Sequence, residues 1–349
     1  MKDSGRRQES VVVGDIKDER IVMGHGAGGR KMHRLIATVF QKHFGNPALG
    51  RMEDSAVLPA ARGRLCFTTD SYVVQPLFFP GGDIGRLAVC GTVNDLAVVG
   101  AKPLWLSAGF VIREGLPVES LERVCHSMAL AAQEAGVRIV TGDTKVIEHG
   151  ADEGLYINTS GIGVRPSSVE LGARQIRPGN AILLSGGIGE HEAAIAVARG
   201  SYGFRTKALS DCAPLAGMVL PLLRAPGIKL MRDPTRGGLA TTLNEFAEAS
   251  GLGFVIDEDA VPVATHVRGV AGMLGLDPLY MANEGKVVII AAADAGRSLV
   301  RKLRRHKYGR AAATIGAVVR KPTGVWLRTR LGSLRPLIML EGEQLPRIC

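Results

Sequence analysis

Between residues 28 and 44 the apolar positions Met32, Leu35, Ile36, Val39 and Phe40 recur at helical spacing behind a glycine-rich turn, which predicts an amphipathic helix. Apolar runs rich in β-formers predict strands over 55–59, 65–69, 104–112, 137–141 and 155–164. Two helices stand among them. One opens after Gly81-Gly82 with Asp83 as N-cap and closes at Gly100. The other covers 117–135, turns Leu121, Val124, Cys125, Met128 and Ala132 inward, and stops at Gly136, whose missing Cβ suits a left-handed cap.

Arg165-Pro166-Ser167-Ser168 and Arg177-Pro178-Gly179 bracket a linker. Beyond it the pattern predicts a strand over 181–185 and helices over 190–199, 212–223, 237–250 and 294–305. Further strands are expected over 254–257, 286–291, 314–319 and 325–328. Strands and helices mix without strict alternation, which favours two α+β domains, 21–168 and 169–340, over one doubly wound sheet. A loose N-terminal tail over 1–20 and a mobile C-terminal tail over 341–349 complete the expected organisation.

The composition fits a folded chain. With 349 residues, 46% hydrophobic and 22% charged, it can bury full cores without disulfides, which excludes disorder and a small cystine scaffold. The net charge of +10 favours anionic partners. Its densest stretch, Arg297 to Lys307, has few aromatics and reads as a solvated helix face, so no nucleic-acid partner is expected. The five cysteines form no C-x-x-C pair, the N-terminus has no apolar signal region, and no apolar run is long enough to span a membrane. The expectation is a cytoplasmic protein with no membrane partner.

Gly24-His25-Gly26-Ala27-Gly28-Gly29 matches the G-x-G-x-x-G pattern, yet about 20 residues on no acidic residue ends a second strand, so a dinucleotide fold is not supported. Nor is it a Walker A loop, since Arg30 follows. An ordinary glycine turn and an anion cradle both remain open. Asp54, Asp70, Asp95, Asp143 and Asp233 sit beside small residues at loops or element ends, without nearby His or Cys, which suits Mg²⁺ shared with substrate phosphates or plain turn capping. Asp95 differs, because an apolar helical stretch surrounds it and a bare carboxylate there is costly. Thr141-Gly142-Asp143-Thr144-Lys145 ends a strand and Asn283-Glu284-Gly285-Lys286 starts one. Both are places for proton transfer or for surface turns. Cys349 ends the sequence, where a flexible segment could carry its thiol between sites.

Taken together, these segments resemble the HypE family of hydrogenase maturation factors, in the superfamily of aminoimidazole ribotide synthetase, selenophosphate synthetase and thiamine monophosphate kinase. The matching pieces are the loop from His25 to Gly29, Thr68-Thr69-Asp70-Ser71, Pro76 to Gly82, and Cys90-Gly91-Thr92-Val93-Asn94-Asp95. Thr141 to Val146, Asp233-Pro234-Thr235-Arg236-Gly237-Gly238, Asn283 to Lys286 and the closing Pro346-Arg347-Ile348-Cys349 follow in family order.

The resemblance implies an ATP-dependent dehydratase. Its carrier cysteine, here Cys349, receives a carbamoyl group from HypF and passes cyanide to the HypC–HypD complex. It implies that Asp54, Asp70, Asp95 and Asp233 hold Mg²⁺ and phosphates. Gly28, Gly29, Asn94, Thr141, Gly142, Asp143 and Thr144 are then expected near the nucleotide, with Lys145 and Glu284 handling the amide protons. It implies a homodimer whose N-terminal domains build a shared sheet or barrel. The rivals are a small-molecule kinase of the superfamily and a non-catalytic ATP-binding scaffold. A selenophosphate synthetase normally has Cys or selenocysteine beside the glycine loop, where this chain has His25.

Overall fold

The computed structural model describes residues 18–150, 154–200, 206–224 and 226–342. Cys349 and the expected C-terminal tail beyond Gly342 lie outside the described residues, as does the N-terminal tail through residue 17. Residues 18–20, expected with that tail, are bonded to the first domain. Lys31 Nζ donates to Asp18 at 2.8 Å, and Arg20 Nη1 donates to the Gly115 carbonyl at 2.7 Å.

β1 (Arg64–Tyr72), β2 (Lys102–Arg113), β3 (Arg138–Ile147) and β4 (Leu155–Arg165) form a sheet in the order β1-β4-β2-β3. Only β2 and β3 are parallel, and a helix joins them because a hairpin cannot connect parallel strands. That helix, α2 (Val118–Ala135), ends on Gly136 at φ 72°, as expected. α1 (Ile84–Val98) opens on Asp83, whose carboxylate accepts from the Gly85 and Arg86 amides, also as expected. Of its 15 residues, 13 are buried, because the sheet, α2 and the second domain each cover a side. Gly91 permits the close approach to β1, since a Cβ there would stand 2.3 Å from Tyr72 Oη.

β5 (Ala181–Leu184), β6 (Ile228–Arg232), β7 (Gly253–Asp257), β8 (Val288–Ala291), β9 (Ala313–Val319), β10 (Gly324–Arg328) and β11 (Leu334–Pro336) build a second sheet, ordered β11-β10-β7-β9-β5-β8-β6. Its helices are α3 (Glu190–Ala198), α4 (Gly238–Ser250), α5 (Thr265–Leu274) and α6 (Ala293–Arg304). Alternate residues of β5 enter different cores. Ile182 and Leu184 join Leu243 and Phe246 of α4, whereas Leu183 joins Leu299 and Leu303 of α6. The latter core runs unbroken into the first domain. At the domain seam Glu134 accepts from Arg86 Nη2 at 3.0 Å, Lys307 Nζ at 2.6 Å and the Tyr308 hydroxyl. Against the cost of burial, these donors hold its carboxyl down at about 2.

One expected element is absent and another is short. No strand forms over 55–59, where Val57 is 65% exposed and Pro59 lacks a donor. The helix expected over 212–223 shrinks to Ala216–Val219 and a 3₁₀ turn, because the Asn94 amide takes the Leu215 N–H and the Ala213 carbonyl. β6, α5 and β11 were not foreseen. Gly269 and Gly272 disguise α5, although Val267, Val270, Ala271 and Leu274 keep helical spacing and are buried.

Candidate active site

Asp70 on β1, Asp95 on α1, Asp233 after β6 and Glu284 before β8 line one cavity of about 270 Å³ between the domains. Asp95 accepts from Thr68 Oγ1 at 2.8 Å, and Arg236 Nη2 lies 3.5 Å from Asp70. A neighbouring cavity of about 460 Å³ shares Asp95, Asp233 and Arg236 and adds Arg232. Burial and then Asp95 push the Asp233 carboxyl up to about 7; burial raises Asp95 as well. Glu284 rises well above the usual carboxylate range through burial, Asp211 and Asp233.

The protein holds Glu284 by its backbone. Asp211 accepts the Glu284 and Gly285 amides at 3.1 and 3.2 Å and also binds Lys286 Nζ at 3.2 Å. Asn94 Nδ2 donates to the Glu284 carbonyl at 3.3 Å. Asn283, fully buried, donates to the Pro234 carbonyl at 3.0 Å and accepts the Gly189 amide at 2.8 Å. One amide thus ties the Asp233 loop, the Glu284 segment and the entry to α3 together.

The remaining sequence-derived residues lie elsewhere. Register pairs Ser71 with Asn158, Asn158 with Gly109 and Gly109 with Asp143, so Asp143 and Lys145 share the sheet face opposite α1. Asp70, one residue from Ser71, points the other way, beneath α1. Leu65 and Phe67 belong to the open face and are each 70% exposed. Lys145 Nζ is 4.0 Å from Asp143 and far more exposed than Glu284. Thr141, Gly142, Asp143 and Thr144 border a separate, mainly apolar cavity of about 180 Å³ with Phe40 and Phe44. The glycine loop abuts this strand end, since a Cβ on Gly26 would meet the Val146 amide nitrogen at 2.7 Å. Gly28 and Gly29 are exposed there, with open space above them.

Two placements depart from expectation. Asp54 is exposed and lines neither acidic cavity, so it does not join the other three aspartates. Asn94 is 1% exposed and its amide is committed to Ala213, Glu284 and Leu215, so it positions Glu284 and does not face a nucleotide. Among the described residues no three His, Cys, Asp or Glu side chains close on a metal position by themselves. Asp70, Asp95 and Asp233 form an open acidic wall, which fits a cation completed by phosphate oxygens better than a protein cage. The sequence reading missed Arg232, His191 and the positioning residues Asn283 and Asp211. Asn283 stood inside a quoted motif, and its burial was the missing signal.

The raised Asp233 carboxyl has a thermodynamic signature. Its penalty on the folded state is full above about pH 7 and is relieved as pH falls toward the ordinary aspartate value, because the folded chain then keeps a proton the unfolded chain has released. Asp233→Asn is therefore expected to raise Tm at about pH 8 in the absence of cation and to lose most of that advantage as pH falls toward about 4. Thermal melts of both proteins across this range check it, and the histidine contributions common to the two cancel. A Tm difference independent of pH would contradict the assignment.

Residues 52–165 match the N-terminal domain and residues 177–327 the C-terminal domain of AIR synthase related protein, so the chain belongs to that family. It is 51% identical to carbamoyl dehydratase HypE of Cupriavidus necator over 338 residues, 96% of each chain. A crystal structure of HypE in complex with ATP superposes with TM-score 0.88 at 48% identity, covering 94% of this chain and 99% of that one. HypE from a HypE–HypF complex gives TM-score 0.77 at 45% identity, over 88% and 99%. Within the wider family, the chain is a member of the HypE group.

Proposed function

We propose that the chain dehydrates a carbamoyl group carried on Cys349 to a thiocyanate at the expense of ATP, supplying cyanide for hydrogenase maturation. The observation that carries this reading is the acidic cavity in which Glu284 is fixed opposite Asp70, Asp95 and Asp233. An amide oxygen is a poor leaving group, so water loss requires its conversion to a phosphate ester. The carboxamide oxygen attacks the γ-phosphorus of ATP and ADP departs; inorganic phosphate then leaves as the nitrogen gives up its protons. Glu284, with its raised affinity for protons, is a stronger base than free glutamate and suits one of these transfers. Exclusion of water once the substrates are bound would protect the phosphorylated intermediate.

Asp70, Asp95 and Asp233 would hold Mg²⁺, which supplies charge neutralisation at the phosphates. Arg232 and Arg236 beside them would meet phosphate oxygens. The chain's exit from the second domain supports delivery of the thiol. Tyr280 Oη donates to the Ile338 carbonyl at 2.8 Å, four residues before Glu284. Eleven residues follow Ile338, a reach of up to about 35 Å. The solved assembly of a relative with HypF supports HypF as the carbamoyl donor here, and the resemblance supports HypC–HypD as the cyanide acceptor.

The open face of the first sheet, with exposed Leu65 and Phe67, supports a homodimer that closes two such sheets into a barrel. Lys145 on that face would then serve the partner's site.

ADP release tests the reading against a kinase. The carbamoylated chain is expected to release about one ADP per Cys349 in a first turnover, whereas the unmodified chain and Cys349→Ala release none above background. Equal turnover by Cys349→Ala with a small-molecule acceptor would replace the dehydratase with a kinase.

A further inference from the structure

The cavity that holds Glu284 contains a second proton-accepting side chain to which nothing above gives a role. His191 stands in the first turn of α3, only 7% exposed, with its ring edge-on to Phe79 at a centroid distance of 5.6 Å. Its Nδ1 lies 2.9 Å from Ser210 Oγ, which also accepts the Cys212 amide at 3.1 Å. Nε2 has no hydrogen-bond partner among the described residues, and the imidazole lines the 270 Å³ cavity with Glu284, Asp70, Asp95 and Asp233. A histidine buried for packing alone would have both nitrogens satisfied or lie against apolar walls. This one is anchored through one nitrogen and leaves the other for whatever enters.

Its position relative to Glu284 is built in. Glu192, next to it, accepts the Ala282 amide at 2.7 Å, and the Gly189 amide donates to Asn283 at 2.8 Å. The turn bearing His191 and the segment bearing Glu284 are therefore joined on both sides. Burial lowers the proton affinity of the imidazole, with Asp211 opposing, so the ring is mainly neutral near pH 7 and able to accept a proton.

The dehydration assigned above removes two protons from one nitrogen, and a single carboxylate accepts one at a time. Resting on that functional reading, we propose that His191 is a second catalytic base: Nδ1–H donates to Ser210 Oγ, and Nε2 takes one proton of the carboxamide nitrogen while Glu284 takes the other. In the first step the carboxamide oxygen bonds to the γ-phosphorus and the bond to ADP breaks. The first N–H proton passes to Nε2, and the C–N bond becomes double. In the second step the C–O bond breaks with its electron pair leaving on phosphate. The remaining N–H proton passes to Glu284, and a C≡N group stays on sulfur. The imidazolium then returns its proton to the departing phosphate or to water.

The test is a single-turnover assay on full-length protein carbamoylated at Cys349, with ATP and Mg²⁺ added and the C-terminal peptide weighed at intervals. His191→Ala is expected to dehydrate at least about 100-fold more slowly than wild type. Its affinity for ATP, measured by calorimetry, should stay within about threefold, and added imidazole should restore much of the rate by entering the vacated space. Imidazole should not rescue Glu284→Gln. His191→Gln, which can keep a hydrogen bond to Ser210 but cannot take the proton, should be as slow as His191→Ala and insensitive to imidazole. A rate within about threefold of wild type for either His191 variant, or a loss in His191→Ala that imidazole does not relieve, overturns the assignment. Wild-type protein that keeps its carbamoyl group in the presence of ATP overturns the functional reading itself.

Discussion

Glu284→Gln is expected to slow loss of water from carbamoylated Cys349 by about 10²- to 10⁴-fold while leaving transfer of the carbamoyl group onto the cysteine intact. The size follows from the chemistry, because glutamine retains the shape of glutamate and cannot take a proton. The selectivity follows from the anchoring. Asp211 and Asn94 grip the backbone of residues 284 and 285, so the substitution leaves these bonds in place. Glu284 also sits among Asp211, Asp233 and Asp70, which disfavour its charge. Removing that charge should therefore raise Tm, the reverse of what loss of a structural ion pair would do. Peptide mass spectrometry for the rate and a thermal melt for the sign check the two parts. A rate within about tenfold of wild type would remove Glu284 from the reaction, and a lowered Tm would contradict the repulsion among these carboxylates.

A mixture of two inactive variants should recover activity. Lys145 lies on the open sheet face and Glu284 on the side covered by α1, so a single chain separates two residues that the family resemblance joins in one site. If the open faces join two copies, each site draws Lys145 from its neighbour. Lys145→Ala and Glu284→Gln proteins are each expected to be nearly inactive. After unfolding and refolding together in equal amounts, half of the dimers pair one of each, and each such dimer has one intact site. Recovery of roughly a quarter of wild-type activity is the statistical expectation. No recovery, with mixed dimers demonstrated, would place both residues in the same chain's site or Lys145 outside it.

Much of the scaffold was legible because its signals are local. Asp83 and Gly136 mark their helix ends by side-chain and backbone chemistry that needs no tertiary partner. Asp95 stood out as a carboxylate within an apolar helix, and it does face a cavity together with Asp70 and Asp233. What could not be read is which side of a strand meets which neighbour. Asp70 and Asp143 look alike as aspartates at strand ends, yet the sheet sends them to opposite faces. Asn94 was expected near the nucleotide on the family resemblance alone. Adjacent helix positions point about 100° apart, so Asp95 reaches the cavity while Asn94 enters the domain seam. His191 carried no motif at all, and its meaning depends on Ser210 and on a cavity wall assembled from distant segments.

The most direct measurement is the mass of the C-terminal peptide after incubation of the purified protein with HypF, carbamoyl phosphate, Mg²⁺ and ATP. The account predicts a carbamoyl adduct on Cys349 that loses the mass of one water when ATP is hydrolysable and keeps it when a non-hydrolysable analogue is supplied. An adduct that persists unchanged while ATP is consumed, or a peptide that is never modified by an active HypF, would contradict it.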